Sequence, residues 1–97
     1  MRGPAVSVVT CFRDAEAHLG EAIRSVREQQ LADWELLLVD DGSADGGTAI
    51  ARRAAEDDPT RICYVEHEGH ANLGKSTSRN LGLSLARGRY VVFLDAD

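Results

Sequence analysis

Ninety-seven residues are the span of one domain at most, which excludes a multidomain enzyme. Eleven Lys and Arg against 16 Asp and Glu leave a formal charge of −5, so no basic surface is on offer for a phosphate backbone or an anionic bilayer. Nucleic acid and membrane surface are therefore set aside as partners, while 43% hydrophobic residues mark a globular chain rather than a disordered one.

Ala5 to Cys11, with Val6, Val8 and Val9, reads as a first strand. Ala15 to Gln30 follows as a helix, with Leu19, Ile23 and Val26 on one stripe at i, i+4 and i+7. Trp34 to Asp40 is a nearly continuous apolar run, the pattern of a parallel strand covered on both faces. Thr48 to Glu56 is a second helix, with Ile50 and Ala54 inside and Arg52, Arg53 and Glu56 outside; Pro59 forbids its continuation. Arg61 to Glu66 gives a third strand, Ser76 to Arg87 a third helix closing near Gly88, and Tyr90 to Leu94 a fourth strand. The order βαβαβαβ implies an α/β fold, a Rossmann-like three-layer half-domain with a parallel sheet and right-handed crossovers.

The longest apolar runs, Leu36 to Val39 and Tyr90 to Leu94, fall far short of the roughly 20 residues that span a bilayer. The N-terminus lacks the apolar core of a signal peptide, so the cytoplasm is the expected compartment. Cys11 and Cys63 sit beside apolar runs and are expected to be buried, reduced thiols. A wholly apolar fourth strand wants neighbours on both edges, yet the chain stops three residues later. Residues 1–97 are accordingly read as a single, truncated domain whose fourth strand leaves an edge open to self-association.

Ligands of such sheets bind beyond the carboxyl ends of the strands, which selects Cys11 to Asp14, Asp40 to Ser43, His67 to Gly74 and Asp95 to Asp97. Asp40-Asp41-Gly42-Ser43 is both a turn signal and a pair of carboxylates able to accept hydrogen bonds from a base or ribose. Asp95-Ala96-Asp97 places two carboxylates on one side of an extended segment, where hard oxygens suit Mg²⁺ or Mn²⁺. Lys75 and Arg79, at i and i+4, can both address a diphosphate at a helix start. Gly69 to Ser76 also satisfies the phosphate-loop pattern G-x-x-x-x-G-K-[ST], although it follows the third strand instead of opening the fold. His18, His67 and His70 show no zinc spacing and are expected to be solvated or hydrogen-bonding.

Four of these segments, in this order, resemble family 2 glycosyltransferases: Val6-Ser7-Val8-Val9; Trp34 through Asp40-Asp41-Gly42-Ser43; Asn72-Leu73-Gly74 with Ser78-Arg79-Asn80-Leu81-Gly82; and Gly88 through Asp95-Ala96-Asp97. The resemblance covers nearly the whole chain and corresponds to the nucleotide-binding half of the GT-A fold. It implies a transferase that moves a sugar from a UDP-, GDP- or dTDP-sugar to an acceptor hydroxyl. It implies also that Asp41, with Asp40 beside it, reads the base, and that Cys11, Phe12, Arg13 and Asp14 lie along the nucleoside. Asp95 and Asp97 would hold Mn²⁺ or Mg²⁺ against the diphosphate, with Lys75 and Arg79 as its neighbours. The family's usual Pro-Thr-Tyr-Asn after the first strand is replaced here by Cys11-Phe12-Arg13-Asp14, where Arg13 offers a guanidinium plane for stacking on a base. The family's acceptor site and general base lie beyond the metal motif, so residues 1–97 are expected to bind donor nucleotide without transferring sugar. Attachment of the full-length protein to a membrane beyond residue 97 is compatible with the family.

Two other classes of function remain beside this one. A phosphate-loop NTPase or kinase would use Gly69 to Ser76 as its Walker A segment, and a non-catalytic fragment would pair its fourth strand with another chain.

Overall fold

A computed structural model describes residues 3–29 and 33–96. Among the described residues four strands and three main helices alternate: β1 (Val6–Phe12), α1 (Glu16–Arg27), β2 (Trp34–Asp40), α2 (Gly47–Asp57), β3 (Ile62–Glu66), α3 (Lys75–Leu85) and β4 (Tyr90–Phe93). Every strand pair is parallel, and the sheet order is β3-β2-β1-β4. The expected α/β architecture is what forms, with β2 bounded as expected and the other elements' ends within three residues. The expected helix end at Gln30 lies outside the described residues; the helix is described as far as Arg27.

The two faces of the sheet follow from the strand period of two. On one face Val8, Phe12, Leu36, Leu38 and Ile62 pack with Leu19, Ile23 and Val26 of α1 and Ala51 and Ala54 of α2. On the other, Val9, Cys11, Leu37 and Val39 pack with Leu81 and Ala86, the side covered by α3. α3 comes down close because residue 82 is glycine: a Cβ there would stand 2.5 Å from Val9 Cγ1. β2, paired on both edges and covered on both faces, is buried along its whole length, which explains its unbroken apolar run.

A buried carboxylate ties the opposite end of the molecule together. Glu35 accepts from Ser7 Oγ at 2.6 Å, from the Arg87 backbone N–H at 2.7 Å and from Arg87 Nε at 3.1 Å, and the Gly88 N–H donates to Ser7 Oγ. Burial pushes the Glu35 carboxyl up, but these hydrogen bonds outweigh it and hold it below the ordinary carboxylate value. The α3–β4 connection is thereby fixed to the start of β1 and β2.

One expectation changes. Cys11 is buried but Cys63 is exposed, because β3 is an edge strand whose α3-facing side is left uncovered at that residue. β4 is not enclosed: Tyr90, Val92 and Phe93 are 63%, 49% and 45% exposed, with β1 as the strand's one partner among the described residues. No helix among the described residues is long and apolar enough to cross a membrane.

Candidate functional site

All four strands point their carboxyl ends to the same edge, and the chain reverses its direction of travel across the sheet between β1 and β4. The first two crossovers step from β1 through β2 to β3; the third returns past them to the far side of β1. At such a switch point the adjoining loops diverge and leave a crevice. Here a cavity of about 220 Å³ opens, lined by Cys11, Phe12, Arg13, Asp41 and Lys75.

The loops around it are held by reciprocal hydrogen bonds. Asp14 N–H donates to Ser43 Oγ at 3.0 Å while Asp14 Oδ1 accepts from Ala44 N–H at 2.7 Å. One turn further on, Glu16 N–H donates to Asp45 Oδ2 and Gly46 N–H to Glu16 Oε1. The loop after β1 and the loop after β2 are thus a single braced unit, and the exposed Arg13 sits on it. Asp14 takes a positive φ of 53°, a conformation aspartate tolerates better than most residues.

Asp40 and Asp41 do different work. Asp40 is fully buried, and its carboxylate accepts from Ser43 N–H at 2.9 Å, Thr48 Oγ1 at 2.5 Å and Tyr64 Oη at 2.8 Å. Burial raises its pKa, yet these donors outweigh burial and the net shift is downward. Tyr64 is pushed up by burial and by donating to Glu66 and Asp40. The expectation that Asp40 contacts a ligand is corrected on this geometry: its oxygens are occupied inside the fold, and it is absent from the cavity wall. Asp41 does line the cavity, and its Oδ1 accepts from the N–H groups of Leu73 at 2.8 Å and Gly74 at 3.1 Å. Gly42 allows this: at φ 73° it turns the chain, and a Cβ there would be 2.8 Å from the Asn72 nitrogen.

Those same two N–H groups bear on the phosphate-loop pattern. A Walker A loop cradles phosphate with its backbone N–H groups. In Gly69 to Ser76 two of them are already turned to Asp41, and Glu68 to His70 forms a tight turn with Gly69 and His70 at positive φ instead of a cradle. Lys75 points elsewhere, its Nζ lying 3.7 Å from Asp95 Oδ1, and Arg79 approaches the same oxygen at 3.6 Å.

Of the residues expected at the site, Cys11, Phe12, Arg13, Asp41 and Lys75 share the cavity, and Arg79 and Asp95 adjoin it through Lys75. Phe12 is 3% exposed with its ring against Gly47, so it is a wall and not a stacking platform. Burial raises the Cys11 thiol, with charged neighbours Arg79 and Asp41 as lesser influences. Asp97 lies outside the described residues. Asp95 is about half exposed and offers a hard oxygen of the kind Mn²⁺ and Mg²⁺ take alongside water and phosphate, so the residue type fits such an ion. Among the described residues no group of three or more His, Cys, Asp or Glu is gathered to hold a metal.

Hydrogen-bonding histidines were expected from the sequence, but not their partners. His67 is buried with its Nε2 2.8 Å from Ser78 Oγ and 3.7 Å from Asp41 Oδ1. His70 reaches the Ser43 carbonyl at 2.8 Å through Nε2 and Glu66 at 3.2 Å through Nδ1. Both histidines follow β3 on the ligand-binding edge, which was a signal, but their partners come from segments 27 and 11 residues away in the chain.

The sequence pattern of Glycosyl transferase family 2 matches residues 7–97. The chain belongs to that family. It is 38% identical over 92 residues to the cholesterol galactosyltransferase of Borreliella burgdorferi, covering 95% of this chain and 25% of the relative. It is 38% identical over 94 residues to the uncharacterized glycosyltransferase EpsJ of Bacillus subtilis, covering 97% of this chain and 26% of that one. The chain thus spans about a quarter of the length of these relatives. Among solved structures, the mannosyltransferase PcManGT of Pyrobaculum calidifontis, in complex with GDP-Man and Mn²⁺, superposes with a TM-score of 0.85 at 30% identity, over 100% of this chain and 28% of that one. S. aureus TarS, in complex with UDP-GlcNAc, superposes with a TM-score of 0.83 at 26% identity, over 100% and 27%. The family 2 chain therefore has the parallel α/β sheet expected of the nucleotide-binding half of a glycosyltransferase.

Proposed function

We propose that this chain binds the nucleoside diphosphate of a sugar donor, and that this binding serves transfer of the sugar to an acceptor hydroxyl. The observation that carries the reading is the cavity at the β1/β4 switch point, where Asp41 faces in and Lys75 leads outward to Arg79 and Asp95. A base enters between Arg13, whose planar guanidinium can stack on it, and Asp41, whose carboxylate accepts a ring N–H. The diphosphate then lies toward Lys75 and Arg79, two cations that approach the same oxygen of Asp95. Mn²⁺ or Mg²⁺ held by Asp95, with Asp97 as its companion in the motif, would offset charge on the departing diphosphate. Neighbours of the same fold in complex with GDP-Man and Mn²⁺ and with UDP-GlcNAc support this reading.

The test is a thermal-shift series with UDP, GDP, dTDP, ATP and GTP, each with Mn²⁺, Mg²⁺ or EDTA. Ligand at a hundredfold excess over Kd stabilises the native state by about 2.7 kcal/mol. The reading expects a diphosphate-selective shift that Asp41→Ala abolishes and that EDTA weakens. A triphosphate-selective shift removed by Lys75→Ala alone overturns it in favour of the phosphate loop.

One observation favours a second property: the outer edge of β4 carries Tyr90, Val92 and Phe93 in exposed positions. Strand pairing between two copies through this edge is part of the proposal, and sedimentation of wild type against Val92→Lys tests it.

A further inference from the structure

We propose that His67 and Ser78 are positioning residues for Asp41, and that they determine which carboxylate oxygen the cavity receives. The inference rests on the donor-site reading above and concerns two side chains that do not themselves line the cavity.

His67 is 6% exposed and Ser78 is fully buried, one leaving β3 and the other on the first turn of α3 that faces the sheet. Their contact, Nε2 to Oγ at 2.8 Å, joins the end of β3 to α3. The same Nε2 stands 3.7 Å from Asp41 Oδ1. A lone pair at Nε2 would face a carboxylate oxygen and be repelled, so Asp41 selects the Nε2–H tautomer. The proton then bonds Ser78 Oγ and presents its positive end to Oδ1 as well. Oδ1 accepts from the Leu73 and Gly74 N–H groups and faces the imidazole N–H at 3.7 Å, so it is the engaged oxygen. Oδ2 accepts no hydrogen bond among the described residues and is the oxygen left for a ligand.

The alternative, an Asp41 free to rotate about its Cβ–Cγ bond, would offer the base either oxygen and lose angular selectivity. Holding a group in the productive orientation in advance removes that loss. The Ser78 hydroxyl matters because it holds Nε2 beside Oδ1; a methyl group there would leave the ring without an anchor inside a buried site.

The experiment measures the affinity of the 97-residue chain for UDP, CDP, GDP and ADP with Mn²⁺, by calorimetry, in wild type, His67→Leu, His67→Gln and Ser78→Ala. Wild type is expected to prefer one base. His67→Leu is expected to weaken the preferred nucleotide about tenfold and to flatten the ratio between bases, because the imidazole N–H that faces the carboxylate has gone. His67→Gln, which restores an N–H, is expected to recover most of the ratio, and Ser78→Ala to lie between. A His67→Leu protein that binds all four more weakly with the ratio preserved has lost packing only, and overturns the inference while leaving the donor-site reading intact. Unchanged binding does the same. If His67→Leu fails to fold, Ser78→Ala carries the test, since it removes a single oxygen. A wild type that binds none of the four overturns the donor-site reading and this inference with it.

Discussion

Asp40 and Asp41 are neighbours in the chain, and their carboxylates serve opposite faces of the sheet. Asp40 bonds Thr48 of α2 and Tyr64 of β3 on one face, while Asp41 bonds the amides that lead into α3 on the other. Strand periodicity requires this, since successive side chains alternate. Asp40→Asn should therefore cost about 2–3 kcal/mol of stability, because a buried group hydrogen-bonded as an anion loses its charge and one acceptor, with nucleotide affinity of the folded protein unchanged. Asp41→Asn should do the reverse, lowering affinity about tenfold. Urea denaturation and calorimetry on the two variants check the exchange; equal effects of both on affinity would refute it.

Acid should unfold the chain through Asp40 and Glu35. Both carboxyls are held below the ordinary value of their type despite burial, Asp40 by Thr48, Ser43 and Tyr64, Glu35 by Ser7 and Arg87. A group with a depressed folded pKa contributes stability that is present above its unfolded pKa and lost as pH falls through the folded one. The unfolded values are 3.8 and 4.5, so the decline begins near those values and deepens below them. Denaturation midpoints measured from pH 6 down to pH 3 should fall more steeply for wild type than for Glu35→Gln, which has one fewer such group.

Much of this was legible in the residues. The apolar run of β2 announced a parallel strand covered on both faces, and β2 is buried along its whole length. The segments beyond the strands include Cys11, Arg13 and Asp41 of the cavity wall, and Lys75 was marked with Arg79 at the start of the third helix. Asp40 was misplaced because a double aspartate reads as one acidic motif, whereas only the pleat tells which member turns inward. Cys63 was misplaced because the burial of a thiol depends on whether its strand is central or at an edge, and strand order is set by crossover direction, which composition does not carry. The His67–Ser78 and His70–Ser43 contacts depend on how the loop after β3 folds over β2, through Gly42 and Gly69 at positive φ, and no local pattern encodes that approach.

The seat of α3 depends on a glycine. A side chain at position 82 would meet Val9 and Val39 in the second core cluster, with the first methyl already 2.5 Å from Val9 Cγ1. Gly82→Ala should cost about 1–3 kcal/mol by overpacking, and Gly82→Val more. Because α3 carries Lys75 and Arg79, Gly82→Ala should also weaken diphosphate binding, although residue 82 lies on the buried side of the helix. Thermal melts and UDP and GDP titrations on the variant test both parts.

Lys75 and Arg79 both reach Asp95, at 3.7 and 3.6 Å, and all three side chains are close to half exposed. Exposed pairs of this kind are worth little to stability, so Lys75→Ala and Arg79→Ala should melt near wild type. Their effect should fall on phosphate. Each is expected to weaken a nucleoside diphosphate about fivefold and a nucleoside hardly at all, with the difference shrinking as salt rises. Paired titrations of uridine and UDP, or guanosine and GDP, at low and high salt measure this directly. A loss equal for nucleoside and diphosphate would place the two cations at the base instead.

His70 should report on how the loop after β3 is held. Its pKa is raised above the ordinary 6.5 first by its bond to the Ser43 carbonyl and then by Glu66, with Asp40 adding to the field. Glu66 in turn is lowered by Tyr64, Arg52 and His70. A raised folded pKa contributes stability that is complete below the unfolded value and disappears as pH rises through the folded one. The His70 Cε1 proton should therefore titrate above 6.5 in an NMR pH series. The stability gap between wild type and His70→Gln should be widest in mild acid, closing through neutrality as the imidazole discharges. In Glu66→Gln the titration should move back toward the ordinary value while the bond to Ser43 keeps part of the shift; a return all the way would mean that the carboxylate alone holds the imidazole.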